Sequence, residues 1–78
     1  MVTIYINMIK VNEIFADRLK DLRKEQNLSL KQLAKFIGVS DVAIGRWEKK
    51  LQIPNIVILD LIAKYFNVSP NYLLGYED

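Results

Sequence analysis

The sequence predicts an all-α protein: a compact five-helix bundle, preceded by a short extended segment. Three observations carry that prediction. First, seventy-eight residues, 51% of them hydrophobic, suffice for one domain near the lower size limit of a self-sufficient core. Second, apolar residues recur at helical spacing between repeated punctuation: Asn12, Ser29, Ser40, Asn55 and Ser69-Pro70 as starts, Asn27, Gly38 and Gly75 as stops. Third, residues 30–48, LKQLAKFIGVSDVAIGRWE, have the spacing of a helix-turn-helix. Two short helices crossing steeply need a small residue at the contact (Ala34), a residue tolerant of positive φ at the turn (Gly38), and apolar anchors beneath the second helix (Val39, Ile44, Trp47).

Residues 1–11 read as an extended leader. The stretch TIYINMI, residues 3–9, is rich in β-branched and aromatic side chains and carries no helix signal, so a strand is one reading. A lone strand would have to pair with a second copy or lie against the helical core. Met8 is an alternative start, which would leave the first seven residues outside the biological chain. The domain proper then spans residues 12–76. Its first helix is expected from Asn12, with Glu13 at the positive end of the helix dipole and Ile14, Phe15, Leu19 and Leu22 turned inward. Arg18, Lys20, Asp21 and Lys24 are expected to face solvent. Asn27 stops this helix and Leu28 plugs back into the core.

Ser29 opens the second helix with Gln32 three residues on, a capping-box pair, and Leu30, Leu33, Ala34 and Ile37 form its buried side. Ser40 caps the third, about residues 41–49, with Ile44 and Trp47 inward. Trp47 reads as a core residue rather than a stacking platform. After a loop closed by Pro54, Asn55 starts a fourth helix running to about Phe66, burying Ile58 or Leu59, Leu61, Ile62, Tyr65 and Phe66. Ser69-Pro70 starts a last short helix, about residues 70–74, since a hydroxyl caps and proline fits the first turn. It offers Tyr72, Leu73 and Leu74 before Gly75 stops it.

Composition narrows the function. The absence of cysteine excludes disulfides and thiolate metal sites, and the absence of histidine removes the usual general base and commonest metal ligand. With no nucleophile–base pair or ligand set in view, an enzyme is not expected, nor any metal or cofactor. No apolar run reaches the roughly 20 residues that span a bilayer, and the start lacks a basic leader and a cleavage site, so a cytoplasmic protein without membrane attachment is expected. The net charge of +2 is uneven: residues 18–50 hold nine Lys/Arg against four Asp/Glu, while the segments on either side are net negative. Positive charge thus gathers on the helix-turn-helix segment, as a phosphate-binding footprint requires, although a solvated lysine-rich face would look the same.

The residues Leu22-Arg23-Lys24-Glu25, Leu28-Ser29, Leu33-Ala34, Gly38-Val39-Ser40, Ile44, Trp47-Glu48, Pro54, Asn67-Val68-Ser69 and Leu73-Leu74 together resemble the Cro/repressor-type (Xre-like) helix-turn-helix domain of bacterial and phage transcription regulators. The resemblance covers residues 15–75. It implies a lambda-repressor-like fold of five helices, binding to operator DNA as a homodimer, and a third helix lying in the major groove. It also implies a buried ion pair between Arg23 and Glu48, tying helix one to the end of the recognition helix. An exposed surface pair is the alternative.

In that frame, base readout is expected from Ser40, Asp41, Val42, Gly45 and Arg46. Arg46 can bond bidentately to guanine O6 and N7, or else serve as a phosphate contact or solvated charge. Asp41 can accept from cytosine N4, or simply favour a helix N-terminus. Val42 can meet a thymine methyl group or stand exposed without a role. Gly45 costs about 1 kcal/mol in a helix interior relative to alanine, justified by close approach to DNA or by helix–helix crowding. Phosphate contacts are expected from Ser29 with its neighbouring amides and from Lys31, Lys35, Lys49 and Lys50. Two positions depart from the family pattern. Leu30 stands where a phosphate-reaching glutamine is common, and Leu51 and Ile53 stand in a loop that usually carries cations. These suggest weaker phosphate clamping or a protein-binding use of the loop.

The expected function is therefore a sequence-specific DNA-binding transcriptional regulator, a repressor by preference, with double-stranded operator DNA as partner. The alternative is a helical protein-interaction module or antitoxin-like partner that keeps the fold with weak DNA binding.

Overall fold

The computed structural model describes the backbone of residues 2–78 and the side chains from Lys10 onward. Five helices follow one another: α1 Val2–Glu25, α2 Leu30–Ile37, α3 Asp41–Glu48, α4 Ile56–Phe66 and α5 Pro70–Leu74. There is no strand among the described residues.

The capping chemistry explains where α2 to α5 begin. Ser29, Ser40, Asn55 and Ser69 each sit in extended backbone and accept, through the side chain, the N–H three residues ahead. Ser29 and Gln32 form the full reciprocal box. The helix ends are equally regular. Asn27, Gly38, Asn67 and Gly75 adopt positive φ and turn the chain back, so that the orphan carbonyls of the last turn are satisfied.

The N-terminus corrects the reading of the leader. The backbone is helical from Val2, so residues 2–11 are the opening turns of α1 rather than an extended segment, and Asn12 lies inside the helix instead of capping it. Met1 lies outside the described residues. Two physical reasons favour the helix. Extending a helix that is already nucleated gains one hydrogen bond per residue fixed, whereas a strand without a partner gains none. The β-preference of Ile, Tyr and Val is also mostly a preference for packing on a sheet, and no sheet is present among the described residues.

The core is one cluster: Phe15 and Leu19 from α1, Leu33, Ala34 and Ile37 from α2, Ile44 and Trp47 from α3, with Leu59, Ile62, Ala63 and Phe66 from α4 and Leu73 from α5. Helix α1 packs on α3 and α5, while α2 packs on α3 and α4. Two expected core residues are on the surface. The buried stripe of α4 runs 59, 62, 63, 66, which turns Leu61 and Tyr65 outward. Tyr65 instead stacks on exposed Phe36, with ring centroids 5.5 Å apart.

Arg18 is a second correction. Its spacing predicts a solvent-facing side chain, but its guanidinium lies 4.2 Å over the Tyr72 ring and donates to the carbonyls of Tyr72 and Glu77. Ser69 Oγ donates to Glu77 Oε2 at 2.5 Å, so the C-terminal turn is tied to α1 and α5 by side chains.

Candidate nucleic-acid interface

Helix α3 is held from behind. Ile44 is fully buried and Trp47 nearly so, which leaves the opposite ridge to solvent. Ser40, Val42, Arg46 and Lys49 are exposed on it, and Asp41 and Gly45 are half-exposed. Its N-terminus is fixed by Ser40 Oγ accepting from the Ala43 N–H at 3.1 Å. That cap occupies an oxygen lone pair but leaves the hydroxyl hydrogen free to donate.

The far end of α3 is anchored to α1. Arg23 Nε donates to Glu48 Oε2 at 2.7 Å and its NH2 donates to Glu48 Oε1 at 2.9 Å, a bidentate pair. NH1 of the same guanidinium donates to the Leu28 carbonyl at 2.8 Å, so the turn after α1 is fastened too. The two side chains are only 13% and 8% exposed. The hydrogen bond to Glu48, helped by its negative charge, raises the Arg23 pKa above the ordinary value against the opposing effect of burial. Residues from α1, the following turn and α3 thus fix the angle at which the outward ridge is presented.

Past Glu48 the chain reverses through Lys50, which has φ +68. The Lys50 N–H donates to the Trp47 carbonyl at 3.1 Å and the Leu51 N–H to the Arg46 carbonyl at 3.0 Å. This is the hydrogen-bond pattern of a Schellman turn, whose αL position is ordinarily glycine. It brings Leu51 back beside Arg46. As a result Asp41, Val42, Gly45, Arg46 and Lys49 share one depression of about 280 Å³ with Leu30 and Leu51. The sequence places the first five on the outward or phosphate-facing side, Leu51 as a departure from the family pattern, and Leu30 both as a departure and on the buried side of α2; Leu30 is half-buried and packs against the core at the edge of this depression. Their placement together depends on the turn at Lys50 and on the crossing of α2 over α3, which periodicity does not encode.

A Cβ built on Gly45 would meet only Leu30 Cδ1, at 3.9 Å, an ordinary contact. Helix–helix crowding therefore does not require this glycine. Gly75 is the contrast: its φ is +89 and a Cβ would lie 2.7 Å from Ile14 Cδ1.

On α2, Ser29 is exposed and its Oγ accepts from the Gln32 N–H at 3.1 Å. Lys31 and Lys35 are exposed along the same helix, and Lys49 and Lys50 follow α3. The Lys50 ammonium lies 3.9 Å from the Asp17 carboxylate, a solvent-exposed pair worth little energetically. The described surface thus presents an exposed helix ridge, with exposed lysines on α2 and at the end of α3. No helix among the described residues is long and apolar enough to cross a membrane.

A family model described as "Helix-turn-helix" matches residues 19–73. The chain is 34% identical over 65 residues to the uncharacterized HTH-type transcriptional regulator YobD of Bacillus subtilis, covering 83% of this chain and 58% of that protein. It is 39% identical over 64 residues to the HTH-type transcriptional activator BcrR of Enterococcus faecalis, covering 82% of this chain and 31% of that one. The crystal structure of the c2 repressor of Salmonella phage P22 with a synthetic operator superposes with a TM-score of 0.76 at 35% identity, covering 81% of this chain and 96% of that chain. The chain spans about three-fifths or less of the full length of these curated relatives. With the matched segment covering the C-terminal end of α1, all of α2 to α4 and most of α5, the chain belongs to the helix-turn-helix family, in its Cro/repressor-type (Xre-like) branch.

Proposed function

We propose that this chain acts as a sequence-specific DNA-binding transcriptional regulator that lays α3 in the major groove of an operator. The carrying observation is the two-sidedness of α3: Ile44 and Trp47 are locked in the core while Ser40, Val42 and Arg46 stand free on one ridge. Arg46 would read guanine, Ser40 and Asp41 the base edges nearest the helix N-terminus, and Val42 an apolar base edge. Ser29, the first amides of α2, Lys31, Lys35, Lys49 and Lys50 would hold the flanking phosphates, which position the helix without reading sequence. Repression by occupancy of an operator is the simplest outcome for such a domain, and the similarity to the c2 repressor supports it.

A homodimer on an inverted repeat would set two copies of α3 about 34 Å apart, one turn of B-DNA. The start of α4 supports self-association, because Ile56 and Val57 are 80% and 65% exposed beside Ile53. The same apolar surface favours a second reading, in which the domain binds another protein and DNA only weakly.

Selection of bound duplexes from a random pool tests the proposal. A single enriched motif is expected, with affinity for it falling roughly 10³–10⁵-fold between 50 and 200 mM salt if 6–10 phosphates are neutralised. A pool that stays random at every salt concentration would leave only the protein-binding reading.

A further inference from the structure

We propose that Asp17 limits the affinity of this surface for DNA: its carboxylate holds the Lys50 ammonium in the free protein, as a stand-in for a backbone phosphate, and releases it when a duplex binds. The inference rests on the proposed function and assigns a role to a residue that precedes the segment matched to the family.

Three observations meet at Lys50. Its φ of +68 is a left-handed conformation that glycine adopts without penalty and lysine does not. It stands between Lys49 and Leu51, both of which line the depression shared with Arg46, so it belongs to the margin of the candidate interface. Its Nζ lies 3.9 Å from Asp17 Oδ1, a carboxylate supplied by α1. The α1 side of this pair is fixed by packing. Asp17 follows Phe15 and Ala16 and precedes Leu19 by two residues, and all three of these are fully buried. The next residue, Arg18, is engaged by the Tyr72 ring and by the carbonyls of Tyr72 and Glu77.

The consequence for binding follows from charge exchange. With side chains 47% and 69% exposed, the pair is weak enough to change partners, so it is a releasable hold and not a block. A phosphate taken up by Lys50 would lie within a Debye length of the Asp17 carboxylate, about 8 Å at physiological salt. Asp17 keeps its negative charge and then faces a polyanion without its cation. Loss of the pair and repulsion from the phosphate both subtract from binding. Neither depends on base sequence, because phosphate contacts carry no sequence information. Asp17 therefore lowers the affinity for operator and random DNA by the same factor, opposing the lysines without altering discrimination.

The test compares the wild-type chain with Asp17→Asn, which keeps the side-chain shape and removes the charge, by fluorescence anisotropy on a selected and a random duplex. At about 50 mM salt the variant should bind both about fivefold more tightly, with the ratio of the two constants unchanged and the gain shrinking toward 200 mM. In a Lys50→Gln background the same substitution should gain less than about twofold. Asp60→Asn makes the same charge change in another exposed pair, with Lys64 at 2.9 Å, and should also gain less than about twofold. Thermal unfolding of Asp17→Asn should stay close to that of the wild type, which separates the effect from folding. Unchanged DNA affinity in Asp17→Asn, where the wild type does enrich a motif, would overturn this inference and leave the regulator reading intact. An equal gain in the Lys50→Gln background, or from Asp60→Asn, would overturn the hold on Lys50 in favour of net charge alone. Failure of the wild type to enrich any motif would overturn the regulator reading, and this inference with it.

Discussion

Gly45→Ala is the substitution for which stability and function should move in opposite directions. Gly45 is in ordinary helical backbone, unlike Gly38 and Gly75, whose φ values of +83 and +89 tie them to glycine. The added Cβ would find Leu30 Cδ1 at 3.9 Å and nothing closer, so neither clash nor cavity enters the balance. What remains is helix propensity, about 1 kcal/mol in favour of alanine. For a domain of this size that corresponds to a rise of about 4–8 °C in Tm. On the DNA side the methyl would project into the space between Val42, Arg46 and Leu30, where the groove floor must approach the helix. Operator affinity should fall at least tenfold, about 1.4 kcal/mol. Thermal unfolding by circular dichroism and fluorescence-anisotropy titration of a selected duplex measure the two effects on one preparation. A lower Tm would refute the packing argument. A raised Tm with unchanged affinity would show that α3 does not approach DNA at Gly45, and would remove the functional explanation for this glycine.

Other outcomes follow from the same geometry. Arg23→Met leaves the Glu48 carboxylate and the Leu28 carbonyl without their donors in a site under 15% exposed, and should destabilise the fold by about 3–5 kcal/mol. The double variant Arg23→Met, Glu48→Met should recover much of that in urea unfolding, and equal loss in single and double variants would exclude pairing as the cause. Lys50→Gly relieves a positive φ of 68 at a position that favours glycine, and should stabilise by about 1 kcal/mol after the exposed Asp17 pair is given up. The same variant should flatten the salt slope of DNA binding by about one unit, because one phosphate-facing cation is gone. Arg46→Ala should relax discrimination among operator variants by about 1–3 kcal/mol at a single base pair, and unchanged discrimination would place Arg46 on phosphate or in solvent.

Most of the helical framework was readable because its boundaries are set by local chemistry. Ser29 with Gln32, Ser40, Asn55 and Ser69-Pro70 start helices through side chain–backbone bonds spanning three residues, and such bonds need no knowledge of the rest of the fold. Where the outcome depends on distant groups, local reading failed. Residues 2–11 have β-preferring side chains, yet a strand requires a partner that the described chain does not supply. Leu61 and Tyr65 carry apolar mass like their neighbours, and only the angle at which α4 meets α2 decides that Ala63 goes inward and Tyr65 outward against Phe36. Arg18 has the pattern of a solvated helix residue, but α5 and the turn after it bring two carbonyls and an aromatic face to it from more than fifty residues away.

The candidate interface divides along the same line, and the division bears on how specificity arises. Which residues of α3 face outward follows from 3.6-residue periodicity alone, since Ile44 and Trp47 must be inward. What stands beside them does not. Leu30 and Leu51 are fifteen and six residues from Gly45 in sequence, on either side of it, but they join it only because α2 crosses α3 at a glycine and because Lys50 accepts a left-handed conformation. Neither leucine alone suggests base readout, and each alone suggests a weakened phosphate clamp. Brought together they give a polar recognition helix an aliphatic flank where the start of α2 and the loop after α3 would otherwise offer polar groups to phosphate. A variant restoring polarity at both positions, Leu30→Gln with Leu51→Lys, should therefore bind random DNA more tightly and its preferred site with a smaller margin, measurable as the ratio of the two dissociation constants at fixed salt. A larger margin for the preferred site over random DNA would mean that the leucines oppose selectivity.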